Sequence, residues 1–383
     1  MSVRKNTCIC TVIPPHILRH VADGGDYQSR ITARATLVEI RSIAGKRQRT
    51  LIVPPADAAP AGKQRSVYDA KHTRTLPGKL VMSEASERGT DPEVNEAFDG
   101  SGTVFDFYQN VFDRISIDGK AMPIDATVHY GRRFDNAMWN GEQMVYGDGD
   151  GTLFNRFTKP LEVIGHELTH GVTQFTAALG YTGQTGALNE HISDAFGIMI
   201  KQWALGQSAK ESDWLIGEGL LAPGVKGKAI RSMAAPGTAY DDPRLGRDPQ
   251  PAHMRDYVRT SADGGGVHVN SGILNRAFYL AAIAIGGETW PVLGRVWYET
   301  LTKHLGANAQ FRDFAQATVT VAGQLAGIGS DVQRAIAKAW SDVGLTVRLR
   351  SIAASKWRRR PPSRPSSRAS YPARKNEKKG VAK

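Results

Sequence analysis

The spacing of apolar positions along the chain changes character at Pro160. From residue 67 to about 151, β-branched and aromatic residues recur between Gly, Asp and Asn turns, the rhythm of short strands. Residues 104–108 (VFDFY) and Met144–Tyr146 are the clearest strand candidates, and a helix is expected near residues 91–112. After Pro160, Leu161, Ile164, Leu168 and Val172 form one apolar stripe at helical spacing, with His166, Glu167 and His170 on another side. Residues 187–205, 272–285, 291–304 and 331–343 also read as helices. The first half is therefore mixed β and α, and the second mostly α. Before both lies a small, detachable piece, residues 1–65, with a short alternating stretch at 35–40 and Pro54-Pro55. No internal repeat is visible.

Charge changes the picture in one place. The formal charge of +12 suggests a nucleic-acid binder, yet eleven Lys or Arg against one acid lie beyond residue 353. The body is close to neutral, and the basicity belongs to a tail, residues 347–383, whose Pro and Ser-Arg content predicts disorder. Binding by that tail to nucleic acid or an anionic surface would be weak and salt-sensitive, so no specific nucleic-acid partner is expected. Only Cys8 and Cys10 are present, too close for an unstrained mutual disulfide, and they read as reduced thiols. No apolar run approaches the roughly 18 residues of a membrane span. The start of the chain carries no Sec-type leader.

The chemistry is concentrated in His166-Glu167-Leu168-Thr169-His170, which fits H-E-x-x-H. On a helix, positions four apart share a face, so both imidazoles reach one metal ion. Glu167 sits beside the first ligand and can meet a metal-bound water without ligating. Farther on, Asn189-Glu190-His191-Ile192-Ser193-Asp194 lies on a separate helix. Glu190 supplies a third, oxygen ligand and leaves the fourth position open, as catalytic zinc requires. Asp194, one turn later, can accept the outer N–H of His166, with Asn189 a second outer partner.

These blocks resemble the thermolysin family of neutral metalloproteases. So do residues 136–141 (NAMWNG), 148–151 (DGDG), 230–233 (IRSM) and 265–272 (GGVHVNSG), in order across residues 67 to 346. The short N-terminal piece resembles the protealysin subgroup. The resemblance implies an α+β fold: a β-rich domain ending in the zinc helix (66–172), an α-helical domain (173–346), and the cleft between them. It implies a monomeric zinc endopeptidase with one catalytic Zn2+, acting on protein and peptide substrates, in which Glu167 is the general base for a zinc-bound water. Tyr181 and His268 would stabilise the oxyanion, and Asp263 would orient His268. Arg231, Asn136 and Ala137 would hold substrate backbone. Phe154, Phe157, Val163, Ile216, Leu220 and Ile230 would line an apolar pocket, favouring cleavage before bulky apolar residues.

The chain departs from the family at its calcium site. Asp213, Glu218 and Glu162 persist, but Lys201 and Leu215 stand at the flanking positions, so a double Ca2+ site is excluded and a single weakened one stays open. Pro14-Pro15-His16-Ile17-Leu18 resembles the subgroup's precursor motif, implying an inhibitory propeptide removed near residues 63–68. Secretion by a non-Sec route is then expected, with a cytoplasmic enzyme as the alternative. The rival readings are another H-E-x-x-H hydrolase, such as an aminopeptidase, and a binding protein that uses its tail.

Overall fold

The computed structural model describes residues 11–47 and 62–349 of the chain. Cys8, Cys10, the Pro54-Pro55 stretch and nearly all of the basic tail lie outside the described residues. Two helices open the chain, α1 (Pro15–Gly24) and α2 (Tyr27–Arg47). Pro15 sits in the first turn of α1, where its missing N–H costs no hydrogen bond. The alternating stretch at 35–40 lies within α2.

A five-stranded sheet follows, built from β1 (Arg65–Asp69), β2 (Lys79–Ser83), β3 (Ile124–Val128), β4 (Ala137–Trp139) and β5 (Met144–Tyr146). Its order is β2-β1-β3-β5-β4, with β1, β3 and β5 parallel and the two edge strands antiparallel to their neighbours. The strand at Met144–Tyr146 is present as expected. Residues 104–108 instead belong to α3 (Pro92–Phe112), which Asp91 caps by accepting from the N–H groups of Glu93 and Val94. Phe105, Phe107 and Tyr108 are all buried, so the aromatic run there is part of a broad helix face.

The helical half comprises α4 (Leu161–Gln174), α5 (Gly183–Leu205), α6 (Asp263–Ile285), α7 (Arg295–Lys303), α8 (Phe311–Ala326) and α9 (Asp331–Asp342). The chain is thus mixed α/β, with a sheet-containing N-terminal domain and a helical C-terminal one. Residues 186–202 of α5 are buried on every face, as expected of a helix enclosed by others. Helix α4 packs on α5 and, through α3, on the sheet. The Tyr108 hydroxyl ties α3 to α4 by a 2.7 Å bond to Thr169 Oγ1, whose own hydrogen goes to Gly165 O.

Two glycines set the spacing of the helices that carry the candidate ligands. A Cβ on Gly197 would lie 2.5 Å from Glu162 O, and one on Gly165 only 3.1 Å from Gly197 Cα. Backbone therefore meets backbone where α4 crosses α5, within one turn of His166 and Asp194. We expect Gly197→Ala to cost about 1–3 kcal/mol by overpacking. A denaturant titration would read this as a lower midpoint, and an unchanged midpoint would refute the close-crossing account.

Candidate active site

Helix α4 places His166 and His170 one turn apart, and α5 brings Glu190 against them. His166 Nε2 and His170 Nε2 are 3.0 Å apart, and each lies 3.6 Å from an oxygen of Glu190. All three side chains are buried. The outer nitrogens have partners: His166 Nδ1 is 2.8 Å from Asp194 Oδ1, and His170 Nδ1 is 2.9 Å from Asn189 Oδ1. The Asn189 amide is oriented by donation of its Nδ2 to Leu179 O at 3.2 Å.

This arrangement fits a cation. Both Nδ1 atoms face oxygens that only accept, so both carry the hydrogen and both Nε2 atoms present lone pairs. Two lone pairs 3.0 Å apart beside a carboxylate repel, and a divalent ion among them turns the repulsion into ligation. Burial, with His166 alongside, pushes the His170 imidazole down to about 3, leaving it neutral. Burial alone would raise Glu190, but His268, His170 and His166 outweigh it and hold the carboxyl at about 2. The donor set is therefore two imidazoles and one carboxylate.

Asp194 is the hub behind the ligands. It accepts from His166, from Arg231 Nε and Nη2 at 2.8 to 3.2 Å, and from Asn275 Nδ2 at 2.9 Å. Burial opposes its charge, yet Arg231 and His166 keep its carboxyl far below the ordinary range. Asn275 in turn accepts from His191 Nδ1 at 2.8 Å, and His191 Nε2 accepts from Trp297 Nε1 at 2.9 Å. A polar chain through the helical core thus orients the carboxylate that orients His166. Sequence reasoning missed Asn275. Its only signal was a buried amide four residues beyond Ser271 on a glycine-rich helix.

Glu167 reaches the sheet. One carboxylate oxygen accepts the Trp139 backbone N–H at 2.9 Å, and the other is buried with no hydrogen-bond partner. Burial pushes its carboxyl well above the ordinary range. Such a group is primed to hold a proton rather than to pair with a cation. Because the donor is backbone on β4, no side-chain pattern announced it.

On the far side, Tyr181 donates its hydroxyl hydrogen to Glu190 Oε1, and its oxygen is 3.1 Å from His268 Nε2. Asp263 grips His268 twice, accepting its backbone N–H at 3.0 Å and facing its Nδ1 at 2.7 Å. That grip needs an unusual turn: Asp263, Gly264, Gly265 and Gly266 all have left-handed φ, from +53° to +95°. Glycine accepts this conformation without a Cβ penalty, and Asp is among the few other residues that tolerate it. Burial would lower the His268 imidazole, but Asp263 and Glu190 raise it to about 9.

The residues expected to hold substrate backbone hold the chain's own N-terminal segment. Asn136 Oδ1 accepts Ile13 N–H at 2.9 Å, and its Nδ2 donates to Ile13 O at 3.1 Å. Ala137 O accepts Val12 N–H at 3.2 Å, and Arg231 Nη1 donates to Val12 O at 3.2 Å. Residues 11–13 thus run along the edge strand β4, as an added strand would. Behind them His16 Nε2 lies 3.1 Å from the Tyr240 hydroxyl, and burial pushes His16 down to about 4. On α2, Glu39 accepts from Tyr130 at 2.7 Å and pairs with Arg74 at 3.1 Å.

Phe154, Phe157, Val163, Ile216, Leu220 and Ile230 are all buried within the main core. The two-stranded ribbon β6 (Leu215–Ile216) and β7 (Arg231–Ser232) brings Ile216 beside Ile230, whose N–H donates to Ile216 O at 3.0 Å. Asp213, Glu218 and Glu162 do converge, but on an ammonium. Lys201 Nζ lies 2.7, 3.3 and 3.9 Å from their oxygens.

Comparison with known proteins agrees with this geometry. Residues 56–174 match the family profile described as thermolysin metallopeptidase, catalytic domain, and residues 177–345 that described as thermolysin metallopeptidase, alpha-helical domain. The chain is 48% identical to an "Extracellular metalloprotease" of Pectobacterium carotovorum subsp. carotovorum, over 90% of this chain and 99% of that protein. It is 44% identical to "Protease PrtS" of Photorhabdus sp. (strain Az29), over 88% and 92% respectively. Among solved structures, the precursor of protealysin from Serratia proteamaculans superposes with a TM-score of 0.81 at 47% identity, covering 88% of this chain and all of that one.

Proposed function

This chain belongs to the thermolysin family of metallopeptidases, in its protealysin-type branch, and is a zinc metalloendopeptidase; from that premise we propose how its residues divide the work. The observation that carries the reading is the meeting of His166, His170 and Glu190 beside a buried, half-unpartnered Glu167. The first three would hold the zinc, which when bound supplies a Lewis acid for the scissile carbonyl and lowers the pKa of water at the site. Glu167, raised by burial, takes the proton from the attacking water and returns it to the leaving amine. Tyr181 and the His268 imidazolium donate to the oxyanion that develops on the carbonyl, the charge that preorganised donors stabilise best. Asp263 positions His268, and Arg231, Asn136 and Ala137 carry substrate backbone. The apolar set around Phe154 and Ile216 supports a preference for cleavage before bulky apolar residues.

Residues 11–47 act as an inhibitory propeptide in this proposal, because they take the hydrogen bonds that a substrate would need. Extracellular location is supported by the name of the Pectobacterium relative, and among the described residues no helix is long and apolar enough to cross a membrane. No calcium requirement is proposed, because the Lys201 ammonium already occupies the point on which Asp213, Glu218 and Glu162 converge.

The test is selective metal removal from the processed enzyme. Phenanthroline, which strips zinc, is expected to abolish casein cleavage, and added zinc to restore it. EGTA, selective for calcium, is expected to leave both activity and Tm unchanged. Activity that survives phenanthroline would sink the zinc mechanism, and a Tm lowered by EGTA would reinstate a calcium site.

The pH profile probes His268. Its donor form is the imidazolium, present below a pKa of about 9 and lost as pH rises through it. Asp263→Asn removes the strongest attraction raising that pKa. The alkaline limb of kcat/KM should therefore move down by roughly one to three pH units. An unmoved limb would mean that another group sets it.

A further inference from the structure

A second cluster of metal-ligating side chains lies on the sheet, apart from the zinc helices. Three adjacent parallel strands, β1, β3 and β5, end side by side, and the turn after each carries one potential ligand: His72, His129 and Asp148. His72 Nδ1 is 3.3 Å from Asp148 Oδ2, and His129 Nδ1 is 2.9 Å from Asp148 Oδ1. We propose that His72, His129 and Asp148 form a second divalent-metal site, selective for zinc or another imidazole-binding transition ion over calcium and magnesium.

Spacing favours such a site. With bonds of about 2.0–2.1 Å, two donors on a tetrahedral zinc stand about 3.3 Å apart. Each imidazole already lies close to that from an oxygen of Asp148, and donor atoms of all three side chains fall within 4.8 Å of one another, so side-chain rotations would admit the ion. Two imidazoles and one carboxylate suit a borderline cation, whereas hard cations prefer all-oxygen cages.

The surroundings are organised in the way metal-bound histidines usually are. His129 Nε2, the nitrogen facing away from the proposed ion, is 3.0 Å from Asp91 Oδ2. Asp91 is itself fixed, because its other oxygen caps α3. A carboxylate behind a histidine locks the ring's tautomer and orientation, so Nδ1 is left to ligate. Asp148 and Asp91 raise the His129 imidazole to about 9, so an arriving ion would displace the Nδ1 proton, and the two carboxylates would then balance one divalent cation.

The backbone holds the two histidines in place at some cost. Both are left-handed, His72 at φ +56° and His129 at φ +54°. The turns are laced together, His72 N–H donating to His129 O at 2.8 Å and Gly131 N–H to Thr73 O at 2.8 Å. Left-handed backbone at non-glycine residues persists where surrounding contacts over-determine it, often at ligand clamps. An ion here would staple the carboxyl ends of three strands and leave a face open to water, since His72 is half exposed.

The test uses full-length Glu167→Ala chain, which keeps its zinc ligands and cannot process itself. After equilibrium dialysis against low-micromolar free zinc, elemental analysis is expected to find two zinc ions per chain. His72→Ala, a substitution at an exposed side chain, should remove one equivalent and leave the other. In the processed enzyme the same substitution should leave peptidase activity unchanged. As a second readout, zinc should raise the Tm of a Glu190→Ala chain, which lacks the catalytic ligand set, and calcium should not. One zinc per chain in the parent, or a second equivalent that persists in His72→Ala, overturns the proposal. So does a Glu190→Ala chain whose Tm ignores zinc.

Discussion

Replacing Glu167 by alanine is expected to lower kcat/KM for a short peptide by roughly 10²–10⁴-fold, the range that a positioned general base contributes. Zinc content should not change, because Glu167 bonds the Trp139 N–H and is not among the three convergent donors. Glu190→Ala separates the two roles: one zinc equivalent leaves the chain together with the activity. Elemental analysis beside the rate assay reads both at once. A Glu167→Ala enzyme that cleaves casein at the parent rate would end the proposed mechanism. Full zinc retention in Glu190→Ala would remove that residue from the ligand set.

The second large effect is activation. Residues 11–13 hold the bonds of Asn136, Ala137 and Arg231, so an intact chain is expected to turn over peptides at a small fraction of the processed rate. Tethering raises the segment's local concentration to on the order of millimolar, enough to keep a modest inhibitor seated. Cutting the connection turns that into ordinary dissociation. The window for the cut shifts with the structure. Residues 65–69 form β1, hydrogen-bonded to β2 on one edge and β3 on the other, so cleavage there would break the ladder. The mature chain is therefore expected to begin at or before Arg65 rather than farther into the 63–68 stretch. Purified wild-type chain should shorten on storage and gain activity, and Glu167→Ala should stay full length. Full activity in an unshortened chain would make residues 11–47 a structural element instead.

How much of this was legible without coordinates follows from the physics of each signal. His166, His170, Glu190 and Asp194 could be read because helical periodicity turns spacing directly into position. Residues 104–108 misled because a short run of β-branched and aromatic residues fits a strand as well as part of a wide helical face. The decisive cue was the Asp91-Pro92 start, thirteen residues upstream. Helix α8 went unread although Phe311, Phe314, Ala315, Thr318, Val319 and Ala322 follow helical spacing and Gln310 with Asp313 forms a capping box. The Trp139 bond to Glu167 had no signal at all, because any residue at that position supplies the same N–H. Residues 11–13 were equally silent in detail, since their contacts are backbone to backbone or backbone to cleft.

That Trp139 bond has a geometric consequence. Strand β4 carries at Ala137 the oxygen that receives Val12 N–H of the N-terminal segment, and two residues on the N–H that steadies the Glu167 carboxylate. A strand advances about 3.4 Å per residue. In the proposed mechanism, the acid–base group and the track on which a substrate lies are thus marked off on one rigid scale. A substrate that slips by one residue presents the opposite set of side chains to the pocket. Which bond is cut then becomes a matter of counting along an edge, and a side chain that seats well in the pocket selects the count.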